Sequence, residues 1–310
     1  MRFLRRDGDR LFLDSRDLIQ LIEAADPLSI DHFAKLLSSR NARVVLAFTN
    51  VAELVPQTPA KPPDRRRVRN LMDQLERLPH AYLRTPELGR AEFERALHAF
   101  ERSIPIAQFD PYVEHWWETF WEVPPSIVCH IEPRAQIEYR NRLSLADQVE
   151  LLLHNRQCLA VGERHEAELQ NVVSEDRARL KTLRGSRKTF IAAVTTELLR
   201  YGRPEPSGGV ERFADFIRSR TDVCPGWRIS HDVYEEYRCN LTAVPQTNDI
   251  PDLSHVQILP YVSHATLDRA WRTRCRQARD RLAKDGLRFS AYDRVYPDLA
   301  AILDTWQRAG

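Results

Sequence analysis

Asp14 ends the apolar run Leu11-Phe12-Leu13 and precedes Ser15-Arg16-Asp17-Leu18-Ile19. A short buried strand there delivers an acid into the turn before a helix. Asp268 does the same after Ala265-Thr266-Leu267. Glu53 falls in Thr49-Asn50-Val51-Ala52-Glu53-Leu54, directly after the β-rich run Arg43 to Phe48, and Asp252 lies in a helix opened by Pro251. Ligands of open α/β sheets bind outside the carboxyl ends of the strands, so acids at neighbouring strand exits face one site. Clustered carboxylates repel one another unless a positive charge is added. A hard divalent cation with oxygen ligands, Mg²⁺ or Mn²⁺, is the usual compensation, and no Cys/His cluster offers an alternative. Four such acids point to metal-assisted phosphodiester hydrolysis.

The elements that must position these acids lie at the two ends of the chain. Asp17 to Ala24 and Ile30 to Ser39 read as helices, Arg43 to Phe48 as a strand, and Thr49 or Asn50 caps a short helix carrying Glu53. Four prolines between Pro56 and Pro63 then break the pattern. Helical spacing follows over Asp64 to Leu78, Leu88 to Ser103, Asp110 to Glu122, Ser144 to Arg156, Glu163 to Leu183, Ser186 to Tyr201, Val210 to Arg220 and Asp232 to Asn240. The α/β pattern returns with the helix Pro251 to Leu259, the strand Val262 to Leu267, the basic helix Arg269 to Lys284, the strand Leu287 to Tyr292 and the helix Asp298 to Trp306. The expected architecture is α/β: a parallel-sheet core built from residues 1–62 and 241–310, with a large all-helical insertion over 63–240.

At 310 residues and 43% apolar content the chain can bury one large core or two modest ones. No apolar run of about 18 residues is present and the amino-terminal stretch lacks an apolar signal region, so the expected compartment is the cytoplasm, with no membrane contact. Five scattered cysteines without C-x-x-C spacing suit reduced, buried thiols. A net charge of +2 gives no global field for polyanions. Of 46 lysines and arginines only five are lysines, a bias that suits bidentate phosphate binding and that a GC-rich genome also produces.

Four local patterns agree with the order of these elements: Leu13-Asp14-Ser15-x-x-Leu18, Thr49-x-x-x-Glu53-Leu54, Asn248-Asp249-x-x-Asp252-x-x-His255 followed by Pro260-Tyr261, and Thr266-x-Asp268. Together they resemble the PIN-domain nucleases, in particular the larger bacterial PIN-like proteins. The resemblance covers roughly residues 8 to 55 and 245 to 305. Arg16 stands where the family more often has Asn, and Ser263 where the larger members often carry a further Asp after the Tyr-Val pair.

The resemblance implies one or two Mg²⁺ or Mn²⁺ ions held by Asp14, Asp252 and Asp268, with Glu53 either ligating or orienting a water. Asp249 is a further candidate ligand whose competing role is to cap the helix. His255 reads either as a phosphate or metal-water contact or as a hydrogen-bonded structural histidine, and Asp17 as a helix-start charge. Arg16, Arg269 and Arg272 are the candidate phosphate contacts; the later arginines of the basic helix read as a solvated face. The aromatic group His115-Trp116-Trp117-x-x-Phe120-Trp121 suits a core better than base stacking. The expected function is a metal-dependent endoribonuclease on single-stranded or structured RNA, of the kind that serves as a toxin or antiviral effector. A DNA nuclease and a non-catalytic scaffold for a partner protein are the alternatives. An inhibitory or regulatory protein and a second copy of the chain are the partners left open.

Overall fold

The computed structural model describes residues 8–23, 30–54, 65–84, 88–119, 138–139, 141–154, 177–240 and 249–309. The proline-rich break at 56–63 and residues 163–176 of the expected long helix lie outside them. Six strands form one sheet in the order β4-β3-β2-β1-β5-β6. These are β1 (Arg10–Phe12), β2 (Arg43–Ala47), β3 (His80–Leu83), β4 (Tyr112–Val113), β5 (His264–Thr266) and β6 (Val295–Tyr296). All pairings are parallel except β3 with β4.

Strand alternation sorts the core into two layers. Leu11, Leu13, Val44 and Leu46 face α1 (Ser15–Glu23), α2 (Ile30–Ser39), α4 (Arg65–Glu76), α6 (Leu145–His154) and α13 (Leu299–Ala309). Phe12, Val45 and Ala47 face α10 (Pro225–Arg238), α11 (Asp249–Ile258) and α12 (Arg269–Lys284). Nearly every one of these strand residues is fully buried, as expected for a parallel sheet covered on both faces. A third cluster joins α5 (Leu88–Arg102), α8 (Arg187–Arg200), α9 (Val210–Arg218) and α10 through Phe93, Val194, Phe213 and Trp227. The remaining helices are α3 (Phe48–Glu53) and α7 (Arg177–Leu183). No helix among the described residues is long and apolar enough to cross a membrane.

The sheet corrects the expectation of an all-helical stretch over 63–240. That stretch contributes β3 and β4 to the sheet, and α4 and α10 to its two covering layers. His80–Leu83 spans four residues between Pro79 and Pro86, too few for alternation to register, and Tyr112–Val113 spans two. The expected helix Asp110 to Glu122 is this strand followed by a 3-10 turn at Trp116–Thr119; residues 120–122 lie outside the described residues. Trp116 is fully buried and stacks on Phe48, so it belongs to the core. The last strand is Val295–Tyr296 rather than Leu287 to Tyr292, because Phe289, Ala291 and Tyr292 are buried by a 3-10 turn at Ser290–Arg294.

One buried carboxylate ties the helical layer to the strand that carries Asp268. Glu92, on α5, accepts the Gly226 and Trp227 N–H groups at 2.8 Å each and the Tyr261 hydroxyl, which sits in the turn entering β5. A Cβ at Gly226 would lie 2.7 Å from the Gln257 carbonyl, so glycine lets α10 approach α11 closely. Burial raises the Glu92 pKa from 4.5 to about 7, outweighing the Trp227, Tyr261 and Gly226 donors that favour the charged form. Because the folded pKa is the higher one, this group's contribution to stability is full below pH 4.5 and is lost as the pH rises through about 7. Urea unfolding of the wild type and Glu92→Gln should give a stability difference that shifts against the wild type by on the order of 2 kcal/mol across that window. A pH-independent difference would contradict the assignment.

Candidate metal centre

Three adjacent parallel strands each end in an aspartate that caps the helix that follows. After β1, Asp14 Oδ1 accepts the Ser15 hydroxyl at 3.2 Å and the Arg16 N–H at 3.3 Å, at the start of α1. After β5, Asp268 Oδ1 accepts the Trp271 N–H at 2.8 Å and caps α12. After β6, Asp298 Oδ1 accepts the Ala301 N–H at 2.9 Å at the start of α13. An N-terminal helix dipole stabilises a carboxylate, so the fold holds three acids at one sheet edge.

Glu53 reaches the same edge from α3. One turn earlier, the fully buried Asn50 side chain accepts the Ala47 N–H at 2.8 Å and donates to the Leu13 and Val45 carbonyls at 3.4 and 3.3 Å. This fastens α3 to the ends of both β1 and β2. Asp252 and His255 come from α11 and share one face, being three residues apart. The fully buried His255 ring packs on Phe12 at 5.0 Å, with Nε2 3.5 Å from Glu53 Oε1 and Nδ1 3.9 Å from Asp252 Oδ1. Neither ring nitrogen has a hydrogen-bond partner among the described residues.

The structure therefore brings Glu53, Asp252 and His255 together, with ligand atoms within 4.8 Å of one another. Asp268 joins them through Trp271, whose indole N–H donates to Asp252 Oδ2 at 2.8 Å while its backbone N–H donates to Asp268. Burial raises the Asp252 pKa to about 7, and the Glu53 and Asp268 charges add to it against the opposing effects of His255 and Trp271. Asp14 lies on the neighbouring strand exit, where its N–H donates to Thr266 Oγ1 at 2.8 Å, and its charge acts on Asp17. Asp249 accepts the Tyr237 hydroxyl at 2.9 Å and lies 3.8 Å from Arg274. Arg16 donates to the Pro297 carbonyl at 3.0 Å. Arg269 and Arg272 stand in the first turn of α12, and no carboxylate pairs with either guanidinium among the described residues.

Four residues have contacts near the acids that the sequence does not show. Asp17 is a first-turn acid of α1 as expected, and it is also buried; burial raises its pKa, opposed by the Thr266 hydroxyl and Arg16 and reinforced by Asp14 and Asp298. Asp298 repeats the strand-then-Asp pattern of Asp14 and Asp268, a signal obscured by placing the last strand too early. Thr266 stands in the Thr266-x-Asp268 pattern and Trp271 in no pattern, and only their partners show what they bind.

The donor set fits a hard divalent cation. Carboxylates predominate, two orphaned imidazole nitrogens are buried among them, and no Lys or Arg pairs with Glu53, Asp252 or Asp268 among the described residues. A second acidic group, His231, Asp232 and Glu235, differs in this respect. Asp232 is bound by Arg228 at 2.9 Å and Arg281 at 3.5 Å, and Glu235 lies 3.4 Å from Arg281. Its charge is already balanced.

No family model matches the chain, and no curated protein or solved structure matches it either.

The burial of Asp252 beside other acids has a measurable cost. Its contribution to stability is full below pH 3.8 and is lost as the pH rises through about 7. With EDTA present at pH 8, Asp252→Asn should unfold at higher urea than the wild type, by on the order of 1 kcal/mol of stability. A less stable variant would mean that the Asp252 carboxyl is not raised by its surroundings.

Proposed function

We propose that this chain is a divalent-cation-dependent nuclease that hydrolyses phosphodiester bonds of RNA, of the PIN-like type. The observation that carries the reading is the uncompensated carboxylate set Glu53, Asp252 and Asp268 with buried His255, at the carboxyl edge of a parallel sheet. The strand order supports it: the chain runs outward from β1 to β3, then continues on the other side of β1 with β5 and β6. The β1–β5 crevice is thus the point where the order reverses, the usual ligand position in open α/β sheets.

Glu53, Asp252 and Asp268 would hold Mg²⁺ or Mn²⁺, with Asp14 at the adjoining strand exit. When bound, the cation supplies charge neutralisation at the scissile phosphate and a more acidic water. The protein's own groups do the rest. Asp268 is aimed by its cap to Trp271, and Asp252 by the Trp271 indole. Arg269 and Arg272 offer guanidinium groups to the phosphate backbone beside the acids. His255, between Glu53 and Asp252, keeps the carboxylates apart and offers a proton site at either ring nitrogen. No side-chain nucleophile is required. RNA is favoured over DNA because its unstacked strands and loops open phosphates to such a site, and the family resemblance implies service as a toxin, RNA-processing enzyme or antiviral effector.

Purified protein should cleave single-stranded RNA with Mn²⁺ and stop on addition of EDTA. Asp14→Asn and Asp268→Asn preserve a cap acceptor, so the fold should survive while the rate falls by about 100-fold or more. Near wild-type activity in either folded variant would remove that acid from the site, and cleavage of DNA alone would reassign the substrate. Arg272→Glu should weaken RNA binding more at low than at high salt, since a phosphate contact acts through counterion release. Equal losses at both salts would place Arg272 outside the interface.

A further inference from the structure

Trp271 is almost wholly buried, and its two N–H groups go to two different acids: the indole to Asp252 Oδ2 and the backbone to Asp268 Oδ1, both at 2.8 Å. One residue thus sets the relative position of carboxylates that come from α11 and from the β5 exit. The ring itself is clamped. The Arg274 guanidinium carbon lies 4.2 Å from the Trp271 ring centroid and 4.5 Å from that of Tyr237, and the two centroids are 5.7 Å apart, so the cation packs against both of two neighbouring aromatic rings. The clamp is anchored at its far side by Asp249, which accepts the Tyr237 hydroxyl at 2.9 Å and stands 3.8 Å from Arg274 Nη1. Arg274 is itself buried.

A buried arginine beside a partly buried aspartate is expensive to keep where apolar residues would pack as well. Here their geometry has a use. The guanidinium packs on the Trp271 ring, and the ring's N–H reaches the Asp252 carboxylate. Side chains that hold metal ligands in this indirect way commonly alter cation affinity by about 10- to 100-fold when removed.

We infer that Trp271 and Arg274 are positioning residues for the cation site, and that Asp249 acts through them rather than as a ligand. This rests on the cation-dependent reading above. The sequence placed Asp249 among the candidate ligands because it stands three residues before Asp252. Its contacts connect it instead to the clamp.

The test is calorimetric titration of Mn²⁺ into the full chain, with folding followed by circular dichroism and thermal unfolding. Trp271→Phe keeps a ring between Arg274 and the core but loses the indole N–H, and should weaken Mn²⁺ binding by about 10-fold or more while the fold remains. Arg274→Lys keeps the charge near Asp249 but loses the guanidinium packed against both rings, and should show the same direction of change. It also serves as the second variant if Trp271→Phe does not fold. Asp249→Asn should weaken binding less than Asp252→Asn, as befits a residue one step removed. A second readout is the Trp271 indole ¹H–¹⁵N signal, which should shift when Mg²⁺ is added to the wild type. Wild-type Mn²⁺ affinity in both folded clamp variants would overturn the inference and leave the cation reading intact. A wild-type chain that binds no Mn²⁺ would overturn both.

Discussion

Repulsion among carboxylates is the constraint that the rest of this structure answers. Parallel strands deliver their carboxyl ends to one edge, and four of the chain's acids arrive there from strand exits or from the helix directly beyond. Without a compensating charge they would drive the edge apart or take up protons. Three devices blunt the repulsion. Helix starts at α1, α12 and α13 each meet an aspartate, so partial positive charge lies against Asp14, Asp268 and Asp298. The Trp271 indole donates to Asp252, and the Thr266 hydroxyl favours the charged form of Asp17. The cost is greatest at Asp252, whose pKa is displaced to about 7, first by burial and then by the Glu53 and Asp268 charges. Strain of this kind is retained at functional sites because the surrounding fold over-determines it.

That fold does so through its layering. β1 sits in the middle of the sheet, with β2 on one side and β5 on the other, so Asp14 is flanked by both routes to the site. Asn50 fastens α3 to two strand ends, and Glu92 fastens the start of α10 to α5 and to the turn that enters β5. Helix α10 contributes to two core clusters, which makes the middle of the chain part of the support of the site rather than an appendage. The contrast with His231, Asp232 and Glu235 is informative. There arginines neutralise the acids and stitch α10 to α12, a structural use of the same residue types.

Much of this was readable in the residues. The helices Ile30–Ser39 and Arg269–Lys284 and the strand beginning at Arg43 follow directly from periodicity, because each has a clear apolar face and a clear boundary. The acids at β1 and β5 were legible for the same reason: an apolar run stops and an Asp begins a helix. Short elements were not. β3 and β4 are too brief to show alternation, and β6 was masked by the better apolar run at Phe289 to Tyr292, which coils instead. Long-range polar pairs were invisible altogether. Nothing local distinguishes Trp271 from any buried helix tryptophan, or Asp17 from an ordinary first-turn acid. The Thr266 to Asp14 bond spans 252 residues of chain.

The central claim is that Glu53, Asp252 and Asp268 form a cation site, and the most direct test is anomalous diffraction from crystals soaked in Mn²⁺. The account predicts an anomalous peak about 2 Å from oxygens of these three carboxylates, at the carboxyl edge between β1 and β5. No peak there, or a peak only at His231, Asp232 and Glu235, would contradict it.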